Sequence, residues 1–175
     1  LPMYQAPIKI DHTRLPEFRS VVEANSYITI IGEQFSLCFD KTKGVMTSFQ
    51  YENKEFIISG LVPNFWRAPT DNDFGNKMQR RYAAWKIASQ NRTLKSFTIQ
   101  DEKGKTIDEN LKEVSLIKVS TTFDLEDLGA TLKLRYTING LGEISIETSV
   151  SGLKEDAPDL PRFGNIITLP ESLNN

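Results

Sequence analysis

The sequence predicts an all-β fold, two antiparallel sheets around one core with a single short helix, on three observations. Short runs rich in Ile, Val, Thr, Phe and Tyr recur along the chain, Gly, Pro, Asn and Asp punctuate them at close spacing, and one stretch alone carries a helical period. About eight to ten strands result, the spacing of a β-sandwich. No repeat of fixed length points to a propeller or a solenoid.

From Leu1 to about Arg19 the chain carries Pro2, Pro7 and Pro16 among mixed polar residues and sustains no period, so residues 1–21 are read as a linker or arm from a preceding domain. Residues 22–175 then form the sandwich. Tyr27–Ile31 and Phe35–Phe39, divided by Gly32-Glu33, make a hairpin. Asp40 to Gly44 supplies the next turn, after which Val45, Thr47, Phe49 and Tyr51 alternate up to the turn at Glu52-Asn53-Lys54. Between Asn76 and Ser89 the period changes, because Met78, Tyr82, Trp85 and Ala88 recur three or four apart with no Gly or Pro. This stretch is the expected helix, its stripe packed on the sheet. Strands return at Leu94–Gln100 and Val114–Phe123, around a polar loop from Asp101 to Glu113. Leu132, Leu134, Tyr136 and Ile138 alternate, Asn139-Gly140 turns the chain, and Ile144, Ile146, Thr148 and Val150 keep the same period. A polar connection from Ser151 to Pro161 leads to a last strand between Arg162 and Leu169.

The length of 175 residues suits one domain with a real core. Twenty-one basic and 23 acidic residues leave a net charge of -2, with no basic field to draw in nucleic acid or an anionic membrane. No apolar run is long enough to span a bilayer, and LPMYQAPIKI lacks the plan of a signal peptide. Cys38, the only cysteine, has no disulfide partner and reads as a small buried hydrophobe.

Residue chemistry excludes most enzyme mechanisms. His12, the only histidine, falls in the arm, so neither a His-based triad nor a His-rich metal site can be built. Asp71 and Asp73 flank Asn72 like the start of a calcium loop, but the later ligands and the closing Glu are missing. Locally, Asp71, Asn72 and Asp73 read as residues that hold a loop and cap the helix after it. The segment Phe65 to Gly75 also packs two neighbouring aromatics, Arg67, Pro69 and a glycine free to take positive φ into one short stretch. That composition suits a loop of fixed shape, the favoured reading, and aromatic faces with planar donors and carboxylates are also what a sugar site uses.

At NFWRAPTDNDFGN, residues 64 to 76, the chain resembles the FxRAPxDNDxG signature near the start of the C-terminal domain of bacterial β-galactosidases in glycoside hydrolase family 2. Phe35 to Tyr51 and Glu55-Phe56-Ile57-Ile58 before it, Trp85-Lys86 after it, and Leu160-Pro161-Arg162-Phe163-Gly164 with Leu169-Pro170 later are similar to that domain too.

The resemblance implies a β-supersandwich like that of galactose mutarotase, here as a truncated copy. It implies no catalytic residue and no cofactor in this chain: the acid/base and nucleophile glutamates of a retaining mechanism on β-D-galactosides such as lactose lie in a (β/α)8 barrel, and the Mg and Na ions of the family lie mainly elsewhere. Partners would be that barrel and the other domains of one chain, in a homo-oligomer of the bacterial cytoplasm or periplasm. The family's mobile active-site loop starts at the glycine matching Gly75, which makes Phe74, Gly75 and Asn76 the candidate loop and hinge, with Arg67, Asp71, Asn72 and Asp73 as scaffold. Past Gly75 the sequence departs from the family pattern and enters its helix at once. Trp66 and Trp85 are read as core or scaffold. A stand-alone carbohydrate-binding sandwich is the alternative function, and a mutarotase-like enzyme is disfavoured by the missing His and carboxylate site.

Overall fold

Side-chain alternation decides which way each strand faces, and in a computed structural model that describes residues 15–107, 111 and 113–173 it builds two main sheets around one core. The first has five strands in sequential order: β1 (Ser20–Ala24), β2 (Tyr27–Ile31), β3 (Phe35–Asp40), β4 (Val45–Tyr51) and β5 (Lys54–Glu55). Ile30 pairs with Leu37 and Ile28 with Phe39, so all four point the same way and all are buried. Glu52 and Asn53 both take positive φ, the conformation that a two-residue hairpin of matching twist requires.

The simple alternation expected along β4 needs one correction. A register shift opposite Cys38 and Phe39 leaves Thr47 as an extra residue, with its hydroxyl donating to the Cys38 carbonyl at 3.2 Å. Met46 therefore turns inward opposite Phe39, and Phe49 faces inward two strand positions on from it.

The second sheet holds β7 (Arg92–Asp101), β8 (Leu116–Leu125), β9 (Ala130–Asn139) and β10 (Ile144–Ser151), in the order β10-β9-β8-β7. Val119, Thr121 and Phe123 lie opposite Tyr136, Leu134 and Leu132, giving a continuous inner face that is buried throughout. The sheets meet where Phe39 stands edge-on to Tyr136 at 5.2 Å and to Phe97 at 6.2 Å. Phe39, fully buried, contributes roughly 1.5–3 kcal/mol. The β9–β10 turn is longer than Asn-Gly alone: Asn139 ends β9, and its Oδ1 accepts from the N–H groups of Leu141 and Glu143, closing a loop over residues 140–143.

A third, two-stranded sheet joins β6 (Ser59–Asn64) to β11 (Gly164–Thr168). β6 leaves the first sheet so closely that a Cβ on Gly60 would sit 1.7 Å from the Met46 carbonyl oxygen. The single helix expected over Asn76–Ser89 is three short ones: α1 (Asp71–Gly75), α2 (Met78–Arg81) and α3 (Ala83–Ala88). Lys77, left-handed at φ 57°, and Tyr82, at φ -112° and ψ 18°, interrupt the helical run. Its apolar stripe survives the breaks, since Met78, Trp85 and Ala88 are buried and Tyr82 is half-buried against the core. None of the described helices is long and apolar enough to cross a membrane. His12, Pro2 and Pro7 lie outside the described residues.

Candidate functional site

The loop that carries the sequence signature begins where β6 ends. Asn64 accepts the Trp66 N–H on its Oδ1 at 3.1 Å, turning the chain out of the strand. Phe65 then anchors it: fully buried, the ring lies edge-on to Trp85 at 5.3 Å and stacks on Phe163 at 6.0 Å. Trp85 is fixed in turn by its indole N–H, which donates to the Pro158 carbonyl at 2.7 Å. Trp85 is thus core, and Trp66 is half-buried beneath the Lys86 ammonium, 5.9 Å from its ring centre.

Beyond this anchor the loop closes on itself. Arg67 grips Asp73 with both terminal nitrogens, Nη1 to Oδ2 at 2.6 Å and Nη2 to Oδ1 at 2.9 Å. The same Oδ2 accepts the Thr70 N–H and hydroxyl, each at 2.8 Å, so Thr70 and Asp73 form the capping box of α1. Arg67 first, and then Thr70, hold the Asp73 carboxyl far below the usual carboxylate range, and Asp73 raises Arg67 in return. These partners favour the ionised form of the carboxyl, which is the wrong form for a general acid. Asp71 and Asn72, grouped with it from the sequence, are exposed, and their side chains make no hydrogen bond among the described residues.

Phe74, Gly75 and Asn76 follow on the outside. Phe74 points its ring away from the core and is 55% exposed. Gly75, though free to take positive φ, does not; Lys77, two residues on, does. A Cβ on Gly75 would meet nothing within 4 Å. Asn76 accepts from Arg81 Nη1 at 2.6 Å, and the Arg81 guanidinium covers the Tyr82 ring at 5.1 Å. Lys77 and Arg81 carry no sequence signal of their own, and Phe163 enters the sequence reading only within the Leu160–Gly164 likeness. Phe163 is remote from Phe65 in the chain, and no local pattern links them.

Clefts of about 460, 480 and 420 Å³ occur elsewhere on the molecule, and no residue between Asn64 and Asn76 lines them. Among the described residues no three His, Cys, Asp or Glu side chains gather in a way that would hold a metal ion. What the loop offers is a rigid base, an outward aromatic ring and the amides of Asn72 and Asn76.

Residues 31–175 match the family model described as "Beta galactosidase small chain". The chain is 35% identical over 142 residues to a β-galactosidase of Priestia megaterium, covering 81% of this chain and 13% of that protein. A β-galactosidase of Lactobacillus delbrueckii subsp. bulgaricus is 30% identical over 168 residues, covering 93% of this chain and 16% of its own length. A β-galactosidase small subunit of Latilactobacillus sakei is 27% identical over 164 residues, 86% of this chain and 50% of that subunit. The chain thus spans about a seventh of the large relatives and half of the small subunit.

Proposed function

Since the chain belongs to the β-galactosidase small-chain family, we propose that it works as a non-catalytic portion of a glycoside hydrolase family 2 β-galactosidase, buttressing the catalytic barrel and presenting an active-site loop. The hydrolysed bond would be that of a terminal β-D-galactoside such as lactose. The two carboxylates of a retaining mechanism would come from the barrel and not from these residues. The intact enzyme would be a homo-oligomer.

The observation that carries this reading is the construction of the Asn64–Asn76 segment. A loop anchored by a buried aromatic and clamped by a bidentate ion pair presents one exposed ring beyond its own surface. Rigid support beneath an outward-pointing group is what a part lent to another domain's site needs, since misplacement by about 1 Å costs on the order of a hundredfold in rate. The candidate assignment is Phe74 as the contacting group, Gly75 and Asn76 as the pivot behind it, and Arg67 with Asp73 as the clamp.

Two measurements test the reading. The 175-residue chain, rigorously purified, is expected to hydrolyse no chromogenic β-galactoside, and turnover would overturn the non-catalytic role. In a β-galactosidase carrying this segment, Phe74→Ala should lower kcat/KM by about ten- to a hundredfold while the protein stays folded. Unchanged kinetics would remove the loop from the active site.

A further inference from the structure

One half-buried cation outside the loop has no carboxylate partner among the described residues. Arg92 opens β7, donates through Nη1 to the Ser89 carbonyl and lies over the Phe123 ring at 5.3 Å. No Asp or Glu among the described residues pairs with it. Burial pulls its pKa below the ordinary guanidinium value, and only the Tyr136 phenol works against that shift. A desolvated, unpaired guanidinium is costly to keep, and its planar fork matches a phosphate or carboxylate. None of its nitrogens is buried without a partner, so the N–H groups not used by Ser89 remain open to solvent.

Arg92 lines a cleft of about 480 Å³ where β4, β6 and β7 come together, a size typical of small-molecule sites. Lys43, Thr47, Ser59, Gln90 and Leu94 share the lining. Lys43 is partly neutralised by Asp40, 3.8 Å away, whereas no carboxylate among the described residues pairs with Arg92. The Thr47 and Ser59 hydroxyls already donate, to the Cys38 carbonyl and to Thr168 Oγ1, which leaves their oxygens to accept. The Gln90 side-chain amide makes no hydrogen bond among the described residues, while its backbone N–H donates to the Ile87 carbonyl at 2.8 Å. Cation, acceptors and amide surround an apolar wall formed by Leu94 and Phe123.

We propose that this cleft binds a small anionic sugar, a phosphorylated or carboxylated monosaccharide, with Arg92 gripping the oxyanion and the Thr47, Ser59 and Gln90 side chains taking the hydroxyls. The proposal is independent of the role assigned to the Asn64–Asn76 loop, and it needs no catalysis to be read.

Backbone amide NMR of the 175-residue chain tests it. Galactose 6-phosphate and galacturonate are expected to give saturable shifts at Lys43, Thr47, Ser59 and Gln90. Inorganic phosphate should bind more weakly, and neutral galactose should give no shift at the same concentration. Arg92→Gln should weaken the sugar phosphate by about tenfold, the loss of one charge-assisted bond. Lys95→Gln removes the same charge from a residue paired with Asp124, away from the cleft, and should leave binding as it was. If Arg92→Gln loses its dispersed spectrum, Lys43→Gln takes its place and is expected to weaken binding where Lys95→Gln does not. The proposal is overturned by galactose binding as tightly as the anionic sugars, by inorganic phosphate matching galactose 6-phosphate, by equal effects of the cleft and control variants, or by no shift at all.

Discussion

A glycine at the end of a short helix can be there for its backbone or for its missing side chain, and the two reasons leave different traces. Gly75 shows neither trace in the folded chain, because its φ is not left-handed and a Cβ would meet open space. Gly75→Ala should therefore stabilise the fold by about 0.4–1 kcal/mol through the unfolded state, read as a higher urea midpoint. In a β-galactosidase carrying this segment the same change should shift kcat and KM together if Gly75 is a pivot. A stable variant with altered kinetics locates the glycine's purpose in motion, and a stable variant with wild-type kinetics removes the hinge. Asp40 is a different kind of residue, buried and structural. Its Oδ1 accepts from the Thr42 hydroxyl at 2.6 Å, the Thr42 N–H at 2.8 Å and the Lys43 N–H at 3.1 Å. The Thr42 side chain, outweighing burial, lowers its pKa below 3.8. A depressed folded pKa gives stability that is complete above the unfolded value and is lost as pH falls through the folded one. Asp40→Asn should thus cost about 1 kcal/mol at neutral pH, and the gap to wild type should narrow below about pH 4 in urea titrations.

Elements built on period two were legible in the sequence because burial enforces the period: Leu132, Leu134, Tyr136 and Ile138 could not slip by one residue without exposing all four. The bulge at Thr47 was not legible, since an extra residue in β4 is defined by its partner strand and not by its own composition. The candidate site divides in the same way. Asp73 was legible as a residue that holds the loop and caps a helix, whereas its bidentate pairing with Arg67 and the Phe65–Phe163 stack depend on how the chain folds back. The helical stretch shows the strongest override. Its stripe was readable, but Lys77 takes a left-handed conformation that costs an L-residue roughly 1–2 kcal/mol, with the Arg81–Asn76 bond and the buried Met78 just beyond it. Lys77→Gly is therefore expected to be about 1 kcal/mol more stable than Lys77→Ala by thermal unfolding. Equal stabilities would mean that the break relaxes in solution and that α1 and α2 join.

For the whole molecule, what is left uncovered is as informative as the core. β6 and β11 pair in a sheet of only two strands, with Val62 directly opposite Ile166 and both exposed, at 37% and 51%. Ile58 and Leu169, just outside the paired strands, are more than half exposed as well. Two-stranded sheets are marginal alone, and neighbouring exposed aliphatics favour association in water. Both effects act at one place, so self-association of the 175-residue chain should run through this sheet and not through the larger ones, whose inner faces are filled. Sedimentation velocity over a range of concentrations is expected to show a sedimentation coefficient that rises with concentration. Ile166→Lys should abolish that rise without lowering the unfolding midpoint, because the side chain lies outside the core. Val22→Lys, at an equally exposed position on the edge strand β1, is the matched control and should leave the rise intact. If Val22→Lys suppresses association as strongly as Ile166→Lys, added charge rather than the β6–β11 surface is responsible. A chain that stays monomeric at every concentration would show that the two-stranded sheet needs no cover.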